Sequence, residues 1–102
     1  MEELERVFHK AMINVFERAR DECNFKPTYF LKMVTEHGGL EAAKRLIASS
    51  KPSDGFTKLW ELKRLDISVE AVVLSPEFSV LFTDEEKNQA RIRLKSYGYT
   101  PA

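Results

Sequence analysis

The heptapeptide SVEAVVL, residues 68–74, decides the fold class, because it is the one stretch of this chain that resembles a β-strand. Its three valines give it the β-branched composition that strands favour. No second stretch of this kind occurs in the sequence, and a single strand has no neighbour with which to form a ladder. Either Asp66 or Ser68 can instead cap a helix here. We therefore predict a helix over this stretch and an all-α fold.

The sequence on the C-terminal side of this stretch carries helix signals of its own. Ser75 and Pro76 predict a capped helical segment of one or two turns, with proline at its first position. Thr83 and Glu86 have the spacing of a capping box, in which each side chain bonds the backbone N–H of the other residue. The last helix starts at this box and ends before Gly98, since glycine accepts the left-handed conformation after a helix.

The N-terminal side is also helical by pattern. In residues 1–22, apolar side chains recur at three- and four-residue steps, which places them on one stripe of a long helix. Residues 28–48 form a helix–turn–helix unit that turns at residues 37–39, His-Gly-Gly. Ser53 or Asp54 can cap the helix that follows. The stripe of the first helix consists of Leu4, Val7, Phe8, Ala11, Val15 and Ala19.

These signals together predict a single domain over residues 1–102. We expect it to be an all-α, compact orthogonal bundle of five to seven short helices after a long N-terminal helix. Large apolar side chains should lie in or near the core, because their burial dominates the stability of such a bundle. They are Trp60, Phe30, Phe56, Phe78, Phe82, Leu46 and Leu94.

Composition and charge argue against several classes of protein function. Of the 102 residues, 43% are hydrophobic, so the chain can bury a core and is not a disordered tail. Its 16 basic and 16 acidic side chains balance, which argues against a general nucleic-acid coat. No apolar run approaches the roughly 20 residues that cross a bilayer, and the charged start MEELERVFHK is not a secretory signal. We therefore expect a cytoplasmic protein with no membrane partner.

Metal and nucleophile chemistry find little support in the sequence. The only cysteine, Cys23, excludes an intramolecular disulfide and a cysteine-built metal site. His9 and His37 are far apart, and neither has a good second ligand at helical spacing. Residues 53–55, Ser-Asp-Gly, are ordinary turn and cap residues. We expect no cofactor.

Three carboxylates surround a helix break and could form an acid–base site. They are Glu61, Asp66 and Glu70, and Arg64 lies among them in the sequence. An ion pair of Arg64 with Asp66 or Glu70 would fix this corner and leaves no free carboxylate pair for catalysis. A structural role is therefore preferred.

Charge is segregated in the second half of the chain. Residues 55–86 carry three basic and seven acidic side chains, whereas residues 87–102 carry four basic ones and no acidic one. Lys87, Arg91 and Lys95 are four residues apart and form a basic ridge along the last helix. The ridge is the predicted partner-binding surface, for phosphate or an acidic partner, although cations also stabilise the C-terminal end of a helix. No aromatic side chain interleaves with the ridge to stack on bases.

Three blocks of the sequence resemble a known family. The blocks are PTYFLKMVTEHGGLEAAKRLIASS, SDGFTKLWELKRLDISVEAVVL and PEFSVLFTDEEKNQARIRL. They are similar to blocks that recur in an uncharacterised bacterial family of small helical domains. The resemblance implies a domain that occurs both as a short separate protein and beside other domains, hence an accessory or interaction role. It implies no catalytic residue.

These observations predict a non-enzymatic module that binds a protein partner or acts as an accessory to one, and they leave a homo-oligomer open. The alternative is a nucleic-acid-associated accessory protein that uses the basic ridge. A third hypothesis is a small hydrolase or nuclease with the three carboxylates as its site. The helix–turn–helix unit does not favour DNA reading, because Glu41 in the first turn of its second helix would face phosphate.

Overall fold

Ser68 starts a helix, and the heptapeptide at residues 68–74 is not a strand. The computed structural model of the chain describes residues 2–100. The Ser68 hydroxyl donates to the Leu65 carbonyl over 2.7 Å and accepts from the Ala71 N–H over 3.2 Å. The helix that follows spans Val69–Val73. The predicted helix is therefore confirmed, with Ser68 rather than Asp66 as its cap.

Helices make up all the regular structure of residues 2–100, which confirms the predicted all-α bundle with a long N-terminal helix. Five α-helices and two 3₁₀ helices follow the first helix in this part of the chain. The radius of gyration is 12.4 Å, close to the roughly 13 Å of a compact chain of this length. The predicted domain also includes Met1, Pro101 and Ala102, which lie outside the described residues. The α-helices are α1 (Glu2–Cys23), α2 (Thr28–His37), α3 (Gly39–Ala48), α4 (Asp54–Glu61), α5 (Val69–Val73) and α6 (Asp84–Ser96), and the 3₁₀ helices are Leu65–Ile67 and Pro76–Leu81.

The helix ends follow the predicted capping residues with one exception. The Ser53 hydroxyl caps α4, and Thr83 and Glu86 form both bonds of the capping box at α6. Gly38 has a φ of 84°, which a residue with a side chain rarely adopts, and it separates α2 from α3. Ser75 is the exception, because its side chain makes no cap hydrogen bond and the segment after it is a 3₁₀ helix.

The core consists of two clusters of buried side chains, and α1 contributes to both. The larger cluster is built around Phe8, whose ring lies edge-on to Phe78 and Phe82 at centroid distances of 5.0 and 5.3 Å. The smaller cluster joins Phe56 of α4 to Leu94 of α6. Four of the seven predicted core side chains are thus buried: Phe56, Phe78, Phe82 and Leu94.

Two apolar side chains lie further out than their pattern predicts. Trp60 was expected in or near the core but is 45% exposed, and its ring packs edge-on against Tyr97 at 5.3 Å. Leu59, the residue before it, points inward instead. Successive side chains lie about 100° apart around a helix, so the indole of Trp60 faces the surface. Val7 is 40% exposed beside the fully buried Phe8. Phe30 and Leu46 are partly buried against the larger cluster, as predicted.

Gly39 lets α3 approach α1 closely. A Cβ atom on Gly39 would lie 2.7 Å from the Cα of His9 and 3.1 Å from Cγ of Met12. The Gly39 N–H donates to Nδ1 of His9 over 2.9 Å. The first atom is backbone and cannot rotate away, so the contact between the two helices requires glycine here.

We therefore expect Gly39→Ala to lower the free energy of unfolding by about 1–3 kcal/mol, as overpacking of a tight contact does. Gly55→Ala is the matched control, since a Cβ there would meet only Ser53 Oγ, at 3.8 Å. Replacing a helical glycine in open space should raise the free energy of unfolding by about 0.5–1 kcal/mol. Urea titration measures both changes. Equal effects at the two positions would contradict the close approach of α1 and α3.

Candidate functional site

A cleft of about 540 Å³ lies between α2 and α4, and we call it the α2–α4 cleft. Its size falls within the range of roughly 300–1,000 Å³ that is usual for ligand pockets. Its lining is mostly apolar, with side chains from the connector before α2 and from helices α1 to α5. Its large apolar side chains include Phe25, Phe30, Met33, Leu46, Phe56 and Leu59.

Two connectors contribute to the lining of the cleft. At the end of α1, Asn24 adopts a φ of 51° and the Phe25 N–H donates to the Ala19 carbonyl over 3.0 Å. Asparagine is one of the few residues with a side chain that takes the left-handed position after a helix, and here it turns the chain back along α1. Phe25 is thereby turned towards the second core cluster, against which it packs. The loop at residues 49–53 separates α3 from α4 and lines the cleft on the other side.

The rim of the cleft exposes one large aromatic side chain. Tyr29, in the first turn of α2, is 76% exposed. Of the charged residues on the rim, Arg45 is paired with Glu41 at 2.9 Å, and Lys51 and Asp54 are exposed. The rim therefore offers an apolar ring beside charges of both signs.

A buried ion pair has one member, Glu70, in the lining of the cleft. Glu70 of α5, which lines the cleft, and Arg93 of α6 are only 2% and 6% exposed. Nη1 of Arg93 donates to Oε2 of Glu70 over 3.0 Å. The same guanidinium donates to the carbonyls of Leu46 over 3.1 Å and Ser49 over 2.6 Å. Arg93 thus joins α5 and α6 to the C-terminal end of α3, whose last carbonyls have no partner within their own helix.

Only one carboxylate oxygen of Glu70 is used by another side chain. Arg93 reaches Oε2, and no other described residue bonds the second oxygen, Oε1, through its side chain or backbone. Within residues 2–100, every side-chain oxygen or nitrogen that is fully buried has a hydrogen-bond partner. The backbone N–H of Glu70 also bonds its own carboxylate, so the group has partners both on α5 and on α6.

Burial raises the pKa of the Glu70 carboxyl, since it penalises the charged form. The hydrogen bond from Arg93 and the backbone N–H of Glu70 itself oppose this change and lower the pKa in part. Removal of either partner would leave the other as an uncompensated charge in a buried position, which is strongly destabilising.

A second cluster of ionisable groups lies at the corner between α1 and the first 3₁₀ helix. Arg64 bonds Asp66 at 3.0 Å and Glu22 at 2.7 Å, and Arg18 bonds Glu22 at 2.9 Å. The predicted ion pair of Arg64 is thus confirmed for Asp66, whereas Glu70 pairs with Arg93. The hydrogen bonds from Arg18 and Arg64 lower the pKa of Glu22 to about 2. These ion pairs hold α1 and the first 3₁₀ helix together at this corner.

We expect the free energy of unfolding to fall as the pH drops from about 4.5 to about 2. The pKa of Glu22 is about 2 in the folded chain against 4.5 as a reference, so its contribution is complete above pH 4.5 and lost on protonation. The pKa of Asp66 is also lowered, chiefly by its hydrogen bond from Arg64. Arg64→Met should therefore reduce the slope of unfolding free energy against pH in this range, as measured by urea titration at successive pH values.

Arg6→Met is the matched control for this measurement, since Arg6 forms an ion pair with the exposed Glu3, at 3.3 Å. Its acid slope should match that of the unmodified chain. Glu70 acts in the opposite sense, because a raised pKa contributes stability below the reference value that is lost as the pH rises. That contribution is common to all three proteins and cancels in the comparison. An unchanged acid slope in Arg64→Met would show that the corner does not hold Glu22 in its charged form.

The predicted basic ridge lies on α6, and its three members have different surroundings. Lys87 is half-buried, with Nζ 2.9 Å from Oγ of Ser79 and 3.7 Å from the Asp84 carboxylate. Arg91 is exposed and bonds Asn88 at 3.4 Å, and Lys95 is exposed. The fourth basic residue of this segment, Arg93, does not belong to the ridge. It is buried on the opposite side of the helix.

The structure does not bring the three carboxylates of the hydrolase hypothesis into one site. Glu61 is exposed at the end of α4, Asp66 belongs to the corner cluster, and Glu70 faces Arg93. Each thus has separate surroundings. Residues 2–100 contain no group of three or more histidine, cysteine and carboxylate side chains placed to hold a metal ion.

The second helix of the helix–turn–helix unit is turned inward at its start. Ala42 and Ala43 are fully buried, and Gly39 lies against α1. The first turn of α3 therefore packs in the core, where a DNA-reading helix would present polar side chains to a groove.

The α2–α4 cleft and the buried pair were missed by sequence reasoning, although a signal for the pair exists. Glu70 lies inside the apolar heptapeptide, and Arg93 lies between Ile92 and Leu94. Arg93 also falls at the helical spacing of Ala90 and Leu94, which face the core. Opposite charges at apolar positions of two helices predict a buried pair. The cleft has no such signal, because it depends on how five helices and two connectors meet.

No protein family, curated protein or solved structure with which the chain was compared matches it. The resemblance described from the sequence therefore stays a prediction. None of the helices in residues 2–100 combines the length and the apolar character that crossing a membrane requires.

Proposed function

We propose that this chain is a non-enzymatic interaction module that binds a protein partner through the α2–α4 cleft. The observation that carries the proposal is an open, mostly apolar cleft beside the 76% exposed ring of Tyr29. Open apolar surface of this kind, rimmed by polar residues, is typical of sites that bind another molecule. The apolar lining suits a partner's side chains better than it suits a charged substrate.

The surroundings of the ionisable groups support a binding role over a catalytic one. The carboxylate of Glu70 is bonded to Arg93, and that of Asp66 is bonded to Arg64. A general acid or base needs a group that can reach its substrate and exchange a proton with it. In these two clusters the charged groups bond one another and hold helices together.

The basic ridge gives the alternative, a nucleic-acid-associated accessory protein. Of its members, Lys87 is already bonded to Ser79, which leaves Arg91 and Lys95 as the exposed cations. Two or three phosphate contacts give weak and salt-dependent affinity. Tyr97 and Trp60 pack against each other, but Tyr97 lies two residues after Lys95 and so on another side of α6. The ridge therefore gains no stacking platform from them.

A capture experiment with two matched variants tests the proposal. Tyr29→Glu places a charge at the rim of the cleft, whereas Val80→Glu places one on a 69% exposed valine outside it. Neither change should disturb the fold, since both side chains are exposed. We expect a partner captured from the native cell by the unmodified chain and by Val80→Glu but not by Tyr29→Glu.

A triple variant with alanine at Lys87, Arg91 and Lys95 tests the alternative in the same experiment. Under the proposal it captures the same partner as the unmodified chain. Loss of the partner in the triple variant together with its retention by Tyr29→Glu would place the interaction on the ridge. A shift of DNA or RNA in a gel at low salt, abolished by the triple change, would favour the nucleic-acid role.

A further inference from the structure

The first turn of α3 is capped by a side chain from another helix. Gly38 occupies the capping position before α3 and has no side chain with which to cap it. The first N–H groups of a helix have no partner within that helix. Here the N–H of Gly39, the first residue of α3, donates to Nδ1 of His9 on α1 over 2.9 Å. The start of α3 therefore depends on a side chain that lies 30 residues earlier in the chain.

This hydrogen bond requires one protonation state of His9. An imidazole nitrogen accepts a hydrogen bond only when it carries no proton. Nδ1 is therefore the bare nitrogen, and the proton of the neutral ring lies on Nε2. A second proton would bind at Nδ1 and turn this acceptor into a donor. Two N–H groups would then face each other, and the hydrogen bond to Gly39 would be lost.

The charged ring would not fit where the neutral ring lies. A Cβ atom on Gly39 would lie 2.7 Å from Cα of His9, so the backbones of α1 and α3 are already in close contact. The N-terminal end of a helix also carries a partial positive charge, which disfavours a nearby cation. The imidazolium would have to rotate outward, or α3 would have to move away from α1. His9 is only half-buried, so its ring already borders solvent.

Charged side chains around His9 favour the outward position of a charged ring. Glu41 and Lys44 are each held in an ion pair with another residue. Glu5 is exposed one turn before His9 on α1, at the spacing at which a carboxylate attracts a cation on the same helix. The open groove around His9 is lined by Glu2, Glu5 and Arg6 of α1, by His37 of α2, and by Glu41 and Lys44 of α3.

We propose that the contact between His9 and Gly39 is a pH-sensitive switch, in which the neutral imidazole holds the start of α3 against α1 and protonation at Nδ1 releases it. Histidine side chains ordinarily gain this proton between about pH 8 and about pH 5. The contact is complete in the neutral form, so the stability that it contributes is present at the upper end of this range and is lost as the pH falls. The switch concerns the packing of α1 against α3 and does not depend on the α2–α4 cleft.

Nuclear magnetic resonance of the full chain tests the switch at both of its atoms. The chain has two histidines, and the chemical shifts of their ring nitrogens show which nitrogen carries the proton at each pH. We expect His9 to carry its proton on Nε2 at about pH 7.5 and to be charged at about pH 5. The protection of the Gly39 N–H against exchange, corrected for the intrinsic rate at each pH, should fall about tenfold between them, as the loss of one hydrogen bond predicts.

His9→Asn separates the hydrogen bond from its dependence on pH. Oδ1 of asparagine is attached to Cγ, as Nδ1 of histidine is, and it accepts a hydrogen bond without binding a proton. We expect the Gly39 N–H of this variant to be protected equally at the two pH values. His37→Asn is the matched control, since His37 is exposed at the end of α2. Its Gly39 N–H should lose protection on acidification as in the unmodified chain.

Several results would overturn the switch. They are a neutral His9 that carries its proton on Nδ1, a ring that stays uncharged at about pH 5, and an unchanged protection of Gly39 while the ring gains its proton. A loss of protection that persists in His9→Asn would assign the pH dependence to another group and would also overturn it. If His9→Asn does not fold, the ring and amide measurements on the unmodified chain decide the matter by themselves. The capture experiment with Tyr29→Glu tests the proposed function separately.

Discussion

Replacing Arg93 with methionine is expected to lower the free energy of unfolding by about 3–5 kcal/mol, the usual effect of removing one partner from a buried ion pair. The change leaves the Glu70 carboxylate buried without its cation. It also removes the donors that satisfy the carbonyls of Leu46 and Ser49 at the end of α3. Three helices lose a common contact. Urea titration at neutral pH, followed by circular dichroism, measures the effect.

Arg91→Met is the control for this prediction, because Arg91 lies on the same helix but is exposed and bonds Asn88 at 3.4 Å. Its effect should stay within about 0.5 kcal/mol. The double variant Glu70→Leu with Arg93→Met should recover much of the loss, since no uncompensated charge remains. Equal stability of Arg93→Met and Arg91→Met would contradict a buried pair at this position.

The second large effect concerns the centre of the larger core cluster. We expect Phe8→Ala to lower the free energy of unfolding by about 3–5 kcal/mol, the cost of a large cavity in a packed core. Phe8 is fully buried, and its ring lies edge-on to Phe78 and Phe82. It therefore joins α1 to the second 3₁₀ helix and to the residue before the Thr83 cap. The midpoint and slope of urea unfolding measure the loss.

Val7→Ala provides the comparison, since Val7 precedes Phe8 on the same helix and is 40% exposed. It should change the free energy of unfolding by less than about 1 kcal/mol, because little apolar surface is lost from the interior. A Phe8→Ala protein as stable as Val7→Ala would place the centre of the core elsewhere.

Much of the fold could be predicted from local sequence. Ser53, Ser68 and the Thr83–Glu86 box start helices at the expected places, because a capping hydrogen bond involves residues only two or three positions apart. Gly38 ends a helix for an equally local reason, its left-handed conformation. The choice of helix over strand at residues 68–74 needed only the absence of a pairing partner.

Side-chain positions that depend on the neighbouring helix were less predictable. Trp60 is large and apolar, yet Leu59 and Phe56 occupy the inner face of α4 and leave the indole at the surface beside Tyr97. The basic ridge was assembled from helical spacing alone, which does not show that Lys87 bonds Ser79 across to the second 3₁₀ helix. A periodic pattern gives the angle of a side chain around its helix but not what packs there.

The order of the helices and most of their ends could be predicted from the sequence alone, since capping and turn contacts lie within a single turn of chain. The pairing of Glu70 with Arg93, the close approach of Gly39 to His9 and the cleft between α2 and α4 were decided only by the tertiary structure. Each of these joins residues from separate helices, and burial changes what their chemistry can do. A carboxylate that would be an ordinary surface charge on an isolated helix becomes, once buried, half of an ion pair that connects three helices.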